Sequence, residues 1–162
     1  MRVILHDLGN EYRELIETKC DRSVEADGKY APCQGCFGCW TKHPAGCFMK
    51  DSLQQVCRII GQADELIIIT ENLYGGYSAD IKNVLDRSIG TSTPFSTYRG
   101  RQMHHTLRYG MHDLWKVIVY GDITEKEKET FRYMAGRNAV NDGFERSEVL
   151  FIEDLSGLEE LL

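Results

Sequence analysis

The sequence predicts an α/β domain: a three-layer sandwich around a mostly parallel, five-stranded sheet, with all 162 residues in one unit. Three observations carry this. Short apolar runs of strand length recur, and the one inside residues 64–70 (DELIIIT) is too apolar for a wet face, as in a central parallel strand. Segments with helical apolar spacing and good starting residues lie between them. Strands and helices alternate from end to end, which confines ligands to the crevice beyond the strands' carboxyl ends.

The elements follow in order. RVILHDL (2–8) is the first strand, and NEYRELIE (10–17) allows two turns of helix, a short first helix. KCDRSV (19–24) is compatible with a short edge strand, and the turn-rich EADGKYAP leads into a cysteine loop. In 51–62, Leu53, Val56, Cys57 and Ile60 recur at helical spacing behind Asp51 as an N-cap. Strand 64–70 is followed by a helix over 78–89 that starts at Ser78. Residues 90–113 form a long polar stretch, and LWKVIVYG (114–121) is another buried strand. Thr124 and Glu127 have capping-box spacing at the head of a helix over 124–140. SEVLFIE (147–153) is the last strand, and DLSGLEELL the closing helix.

Composition narrows the class. A hydrophobic share of 42%, a charged share of 27% and a net charge of −6 are those of a soluble protein with no concentrated basic surface for nucleic acid. The start of the chain has neither signal- nor transit-peptide character, and no apolar stretch is bilayer-length, so no membrane role and a cytoplasmic location are expected. In a reducing compartment six cysteines are not a disulfide framework.

The segment TENLYGGYS (70–78) falls at the carboxyl end of the central strand. Its adjacent Gly75 and Gly76 permit close backbone approach to a flat ligand, and Tyr74 and Tyr77 can cover a ring. The same residues also suit an ordinary glycine turn between a strand and a helix. Taken with PCQGCFGCWTKHPAGCFMKD (32–51) upstream and DIKNVLDR (80–87) downstream, the segment resembles the NADPH-dependent FMN reductases of the flavodoxin-like superfamily, in their iron–sulfur flavoprotein-like branch. The resemblance is strong over about residues 30–90. It implies that Thr70, Glu71, Asn72, Leu73, Tyr74, Gly75, Gly76, Tyr77 and Ser78, with Gly121 and Asp122 of the turn after the fourth strand, contact FMN. Glu71 stands where the family usually has proline.

One expected part is missing. The family cradles the FMN phosphate in a Gly/Ser-rich loop after its first strand, where small residues, hydroxyls and a helix N-terminus meet the anion. Here the equivalent ILHDLGNEYRE offers Gly9 and Asn10, no hydroxyl before Thr18 except the phenol of Tyr12, and the carboxylates of Asp7, Glu11 and Glu14. Arg99, Arg101 and Arg108 in the polar stretch are alternative phosphate partners, as is a partner subunit.

Cys33, Cys36, Cys39 and Cys47 have the spacing C-x2-C-x2-C-x7-C. That spacing suits a cubane [4Fe–4S] cluster better than zinc, which usually takes two separated pairs. The resemblance supports either a cluster or, as in flavin-only relatives, unligated thiols near the flavin and a subunit interface. A transient Cys33–Cys36 disulfide is a third possibility. His43, His104 and His105 are expected as solvated loop histidines, and Arg13, Lys19, Arg22 and Lys29 as surface charge.

The leading expectation is an FMN-dependent NAD(P)H oxidoreductase that acts as a homodimer or higher homo-oligomer, without an assigned acid or base. Its rivals are a [4Fe–4S] electron-transfer flavoprotein and a flavin-free binding module.

Overall fold

The computed structural model describes all 162 residues. Five strands form the main sheet: β1 (Arg2–His6), β2 (Arg22–Glu25), β3 (Glu65–Glu71), β6 (His112–Tyr120) and β7 (Phe144–Ile152). Their spatial order is β2-β1-β3-β6-β7, and every pairing is parallel. This is a flavodoxin-like sheet, with its order reversing between β1 and β3.

Alternation along the strands sorts side chains into two layers. Val3, Leu5, Leu66, Ile68, Trp115, Val117 and Val119 face α2 (Val56–Gly61), α3 (Ala79–Arg87) and α4 (Glu125–Asp142). Ile4, Ile67, Ile69 and Ile118 face the opposite way, against Ile16 of α1 (Arg13–Lys19) and Leu158 of α5 (Leu158–Leu161). The central strands are apolar on both faces because both faces are covered. No helix is long and apolar enough to cross a membrane.

Several helix boundaries follow from caps. Thr124 and Glu127 form the expected capping box of α4, and Gly143 ends that helix at a left-handed φ of 84°. Ser78 caps α3 by accepting from Ile81 N–H.

Other expectations need correction. The helix over 51–62 is confined to 56–61, and Asp51 is not its N-cap. Asp51 instead pairs with Arg87 at 2.5 Å and accepts from the Ala31 and Leu53 amides. The polar stretch 90–113 contains a β-hairpin of its own, β4 (Ser92–Arg99) and β5 (Gln102–Leu107), separate from the main sheet. The closing helix is a single turn.

Topology positions the site. The segments after β1, β3 and β6 leave from one edge of the sheet. The ends of α3 and α4 and the base of the hairpin come back to the other, because each precedes the start of a parallel strand.

Candidate active site at the carboxyl edge of the sheet

The loop after β3 is held from beneath. Thr70 is fully buried, and its hydroxyl accepts from Ser78 N–H at 3.0 Å while donating to the Glu71 carbonyl. Asn72 links this loop to the one after β6. Its amide N–H donates to the Tyr120 carbonyl at 2.9 Å, its Nδ2 to the Asp122 carbonyl at 2.8 Å, and its Oδ1 accepts from Gly75 N–H. Leu73 and Gly76 exchange two backbone hydrogen bonds of 3.0 Å, closing the turn. The expected residues 70–78 and 121–122 are thus brought together.

The turn presents its tip outward. Tyr74 and Gly75 adopt left-handed φ values of 52° and 79°, and Tyr74 is 88% exposed. At Gly75 a side chain would be strained by that φ and would stand only 3.1 Å from the Glu127 backbone. The amides of Tyr74 and Tyr77 make no intramolecular hydrogen bond, and so are free to donate to a heterocycle.

The two tyrosines do not share a role. Tyr77 is buried edge-on against Phe131, its ring centroid 5.1 Å away, with its hydroxyl beside Asn138. Only Tyr74 is available to cover a ring.

Asp7 completes the arrangement. One carboxylate oxygen accepts from Glu71 N–H at 3.0 Å and the other from the Tyr120 hydroxyl at 3.1 Å. Burial and this carboxylate hold the Tyr120 phenol well above its usual range. The ends of β1, β3 and β6 are therefore tied through one anion.

FMN fits one half of this edge. The turn 70–78 offers an exposed aromatic, free amides and a backbone that can approach a flat ring. The phosphate half does not fit. Asp7 sits where the first strand ends, and the Glu11 carboxylate folds against Gly9, filling the space beside the only glycine of the turn. The chain then enters a 3-10 turn (Asn10–Tyr12) and a seven-residue α1 that has no side-chain cap. Nor do the arginines compensate. Arg99 donates to the carbonyls of Val140, Asn141 and His105, and Arg108 to those of Gly90 and Ser92. Both, like Arg101 at the turn of the hairpin whose far end Arg99 pins to α4, belong to the opposite edge of the sheet.

The cysteine loop also lies away from the flavin turn. Trp40 donates to the Ile89 carbonyl at 2.8 Å and stacks at 4.7 Å on His105, fastening the loop to the end of α3 and to the hairpin. All six cysteines are free thiols. Cys33, Cys36, Cys39 and Cys47 do line one cavity, together with Arg87, whose Nε and Nη2 have no partner. That cavity measures about 20 Å³, room for about one water molecule. No three metal-ligating side chains converge. The loop as folded does not fit a cubane cluster. Cys57 is a buried core residue as expected, its thiol pushed up to about 12 by burial.

The sequence model of the NADPH-dependent FMN reductases matches residues 14–105, more than half of the chain. The chain belongs to that family. The match begins beyond the first strand and its acidic turn. No curated protein sequence matches the chain significantly. Among solved structures, similarity extends to an NAD(P)H:quinone oxidoreductase from Methanothermobacter marburgensis, with a TM-score of 0.63 and 16% identity over 99% of this chain and 91% of that one. An FMN-dependent NADH-azoreductase from Bacillus anthracis, solved with FMN, gives a TM-score of 0.56 and 11% identity over 93% of this chain and 85% of that one. A second azoreductase from Bacillus anthracis gives 0.55 and 11% over 99% and 90%. These structures establish the shared flavodoxin-like fold. Membership of the FMN reductase family supports an FMN-dependent NAD(P)H oxidoreductase.

Proposed function

We propose that this family member binds flavin through its ring system and not through a phosphate cradle, and passes electrons from NAD(P)H to an acceptor. The observation that carries the reading is the turn Leu73–Gly76, locked from below by Asn72 and Thr70 and open above at Tyr74. When bound, the flavin supplies the hydride and electron chemistry. The chain's own residues orient it: Tyr74 packs against the ring, and the free amides of Tyr74 and Tyr77 donate to its polar edge. Asp7 holds the three strand ends in register, while its charge and that of Glu11 disfavour a phosphate nearby. The reading places the protein in the cytoplasm, where NAD(P)H is available and free thiols persist.

The test is parallel titration of the protein with riboflavin and FMN, followed by quenching of flavin fluorescence. Riboflavin should bind at least as tightly as FMN, and Tyr74→Ala should weaken both about tenfold, the loss of a stacking contact worth about 1–1.5 kcal/mol. FMN binding tenfold tighter than riboflavin would mean that the phosphate is recognised after all. Absence of binding by either would remove the flavin reading.

A further inference from the structure

Cys47 sits where two features of the cysteine loop meet. Inward, it lines the water-sized cavity that it shares with Cys33, Cys36 and Cys39. Outward, it lines an open groove of about 480 Å³ between the loop and the start of α2. His43, Lys50 and Arg58 border that groove, all three exposed, and no carboxylate lines it. Neither Lys50 nor Arg58 enters an ion pair. In a chain of net charge −6, this is an uncompensated positive surface beside a half-buried thiol.

The backbone fixes the thiol in place. Cys47 N–H donates to the Gln54 carbonyl at 2.9 Å, and Gln54 N–H to the Asp51 carbonyl at 3.1 Å. Ala45, two residues earlier, keeps a left-handed φ of 59° while buried, its N–H donating to the Cys39 carbonyl at 2.9 Å. A residue with a Cβ holds that conformation only where its surroundings enforce it.

Behind the sulfur stands Arg87, whose side chain is fully buried. Its Nη1 donates to Asp51 and to the Ala31 carbonyl, whereas Nε and Nη2 are sealed from solvent and unpartnered. No ligand can reach those two groups. What lies in hydrogen-bonding range of the guanidinium is Cys47. A neutral thiol is a weak acceptor and leaves such donors short, while an anionic sulfur satisfies them. Positive surroundings and partial exposure are the setting of a reactive cysteine.

We propose that Cys47 is a site of thiol–disulfide exchange with small anionic disulfides, those formed by carboxylate-bearing thiols. The Cys47 thiolate attacks one sulfur of the disulfide. A bond forms between Cys47 Sγ and that sulfur, the original S–S bond breaks, and the other half leaves as a thiolate. Cys47 is oxidised, the disulfide is reduced, and the proton of the Cys47 thiol passes to solvent. Lys50 and Arg58 hold the carboxylates over the groove, and Arg87 donates to the sulfur in its anionic form. The site stands apart from the flavin reading, since the groove shares no residue with the turn 70–78.

The experiment exposes the reduced full chain to glutathione disulfide, which is anionic, or to cystamine, which is cationic, and follows the adducts by intact mass and peptide mapping. Each rate is divided by that of the same disulfide with free cysteine. The first adduct should form on Cys47, with glutathione disulfide favoured over cystamine about tenfold at low salt and less at high salt. Lys50→Glu together with Arg58→Glu, both at exposed positions, should erase or reverse that preference. Cys47→Ser should remove the fast adduct, whereas Cys36→Ser, at the exposed thiol, should leave it. A first adduct on Cys36, equal normalised rates for the two disulfides, or an unchanged preference in the charge-reversed variant would each overturn the proposal.

Discussion

Asp142 shows how far one residue's surroundings can move its chemistry. Burial pushes its carboxyl up to about 6, although the Thr91 hydroxyl and Arg99 both favour the ionised form. The folded state therefore binds this proton more tightly than the unfolded chain. The sign follows: the relative stabilisation is complete below the unfolded value near 4, falls as pH rises, and is lost above about 6. Asp142→Asn removes the cost of the buried charge and keeps an oxygen for Thr91. The variant should be more stable than the parent by about 1–3 kcal/mol at pH 8, the gap closing towards pH 4, as measured by urea denaturation at both values. Nothing in the local sequence RNAVNDGF distinguishes this carboxylate from an exposed one. His104 is buried and not the solvated loop histidine expected, for the same reason: burial of a polar residue comes from tertiary neighbours, here Asn141, and leaves no local signature.

Among elements, α3 links the flavin turn to the cysteine loop. Ser78 starts it as part of the flavin turn, and at its other end the fully buried Arg87 donates to Asp51 and to the Ala31 carbonyl, anchoring both flanks of the cysteine loop. The Asp51 carboxyl is drawn below its usual range by that guanidinium. Asp51→Ala leaves a buried cation with fewer acceptors, and should destabilise the protein by about 3 kcal/mol in equilibrium unfolding. Loss of less than 1 kcal/mol would show that water replaces the carboxylate.

The caps of α3 and α4 were legible, because Ser78 and the Thr124/Glu127 pair act within one turn of chain. The hairpin was not. Strand β4 reads STPFSTYR and β5 QMHHTL, and neither alternates cleanly, since only His104 among their residues is buried. Their pairing depends on the register between them, not on a buried face. Asp51 misled by its position ahead of an apolar period: Leu53 and Val56 are buried as expected, but on a turn that precedes the helix.

For the molecule as a whole, the parallel sheet was the most legible feature. Runs such as LIII and VIV are apolar on both faces only where both faces are covered. The edge strand β2 was visible but weak, with Val24 its one buried residue. The flavin turn was located because glycines and tyrosines cluster there, whereas the long-range ties of Asp7 to Glu71 and Tyr120 could come only from the folded chain. One consequence at this scale concerns assembly. Phe95, Tyr98 and Met103 on the hairpin are each more than 60% exposed, and Phe37 on the neighbouring loop is half exposed. Such a surface suits self-association. Sedimentation should give a dimer or larger species, and Tyr98→Glu together with Met103→Lys should shift it to monomer; a monomeric parent would refute this.

The hairpin is hydrogen-bonded within itself and fixed to α4 by Arg99, by His104 with Asn141 and by Gln102 with Arg137, with Thr91, just ahead of it, bonded to Asp142. A lone two-stranded ribbon is marginal in water, so its order is borrowed from that helix. The consequence is one of inheritance. Adding or deleting a residue in the last two turns of α4 would rotate these anchors by about 100° around the helix axis and carry the ribbon with them. Lineages could thus remodel the hairpin's placement through a helix end, with every strand of the main sheet kept as it is.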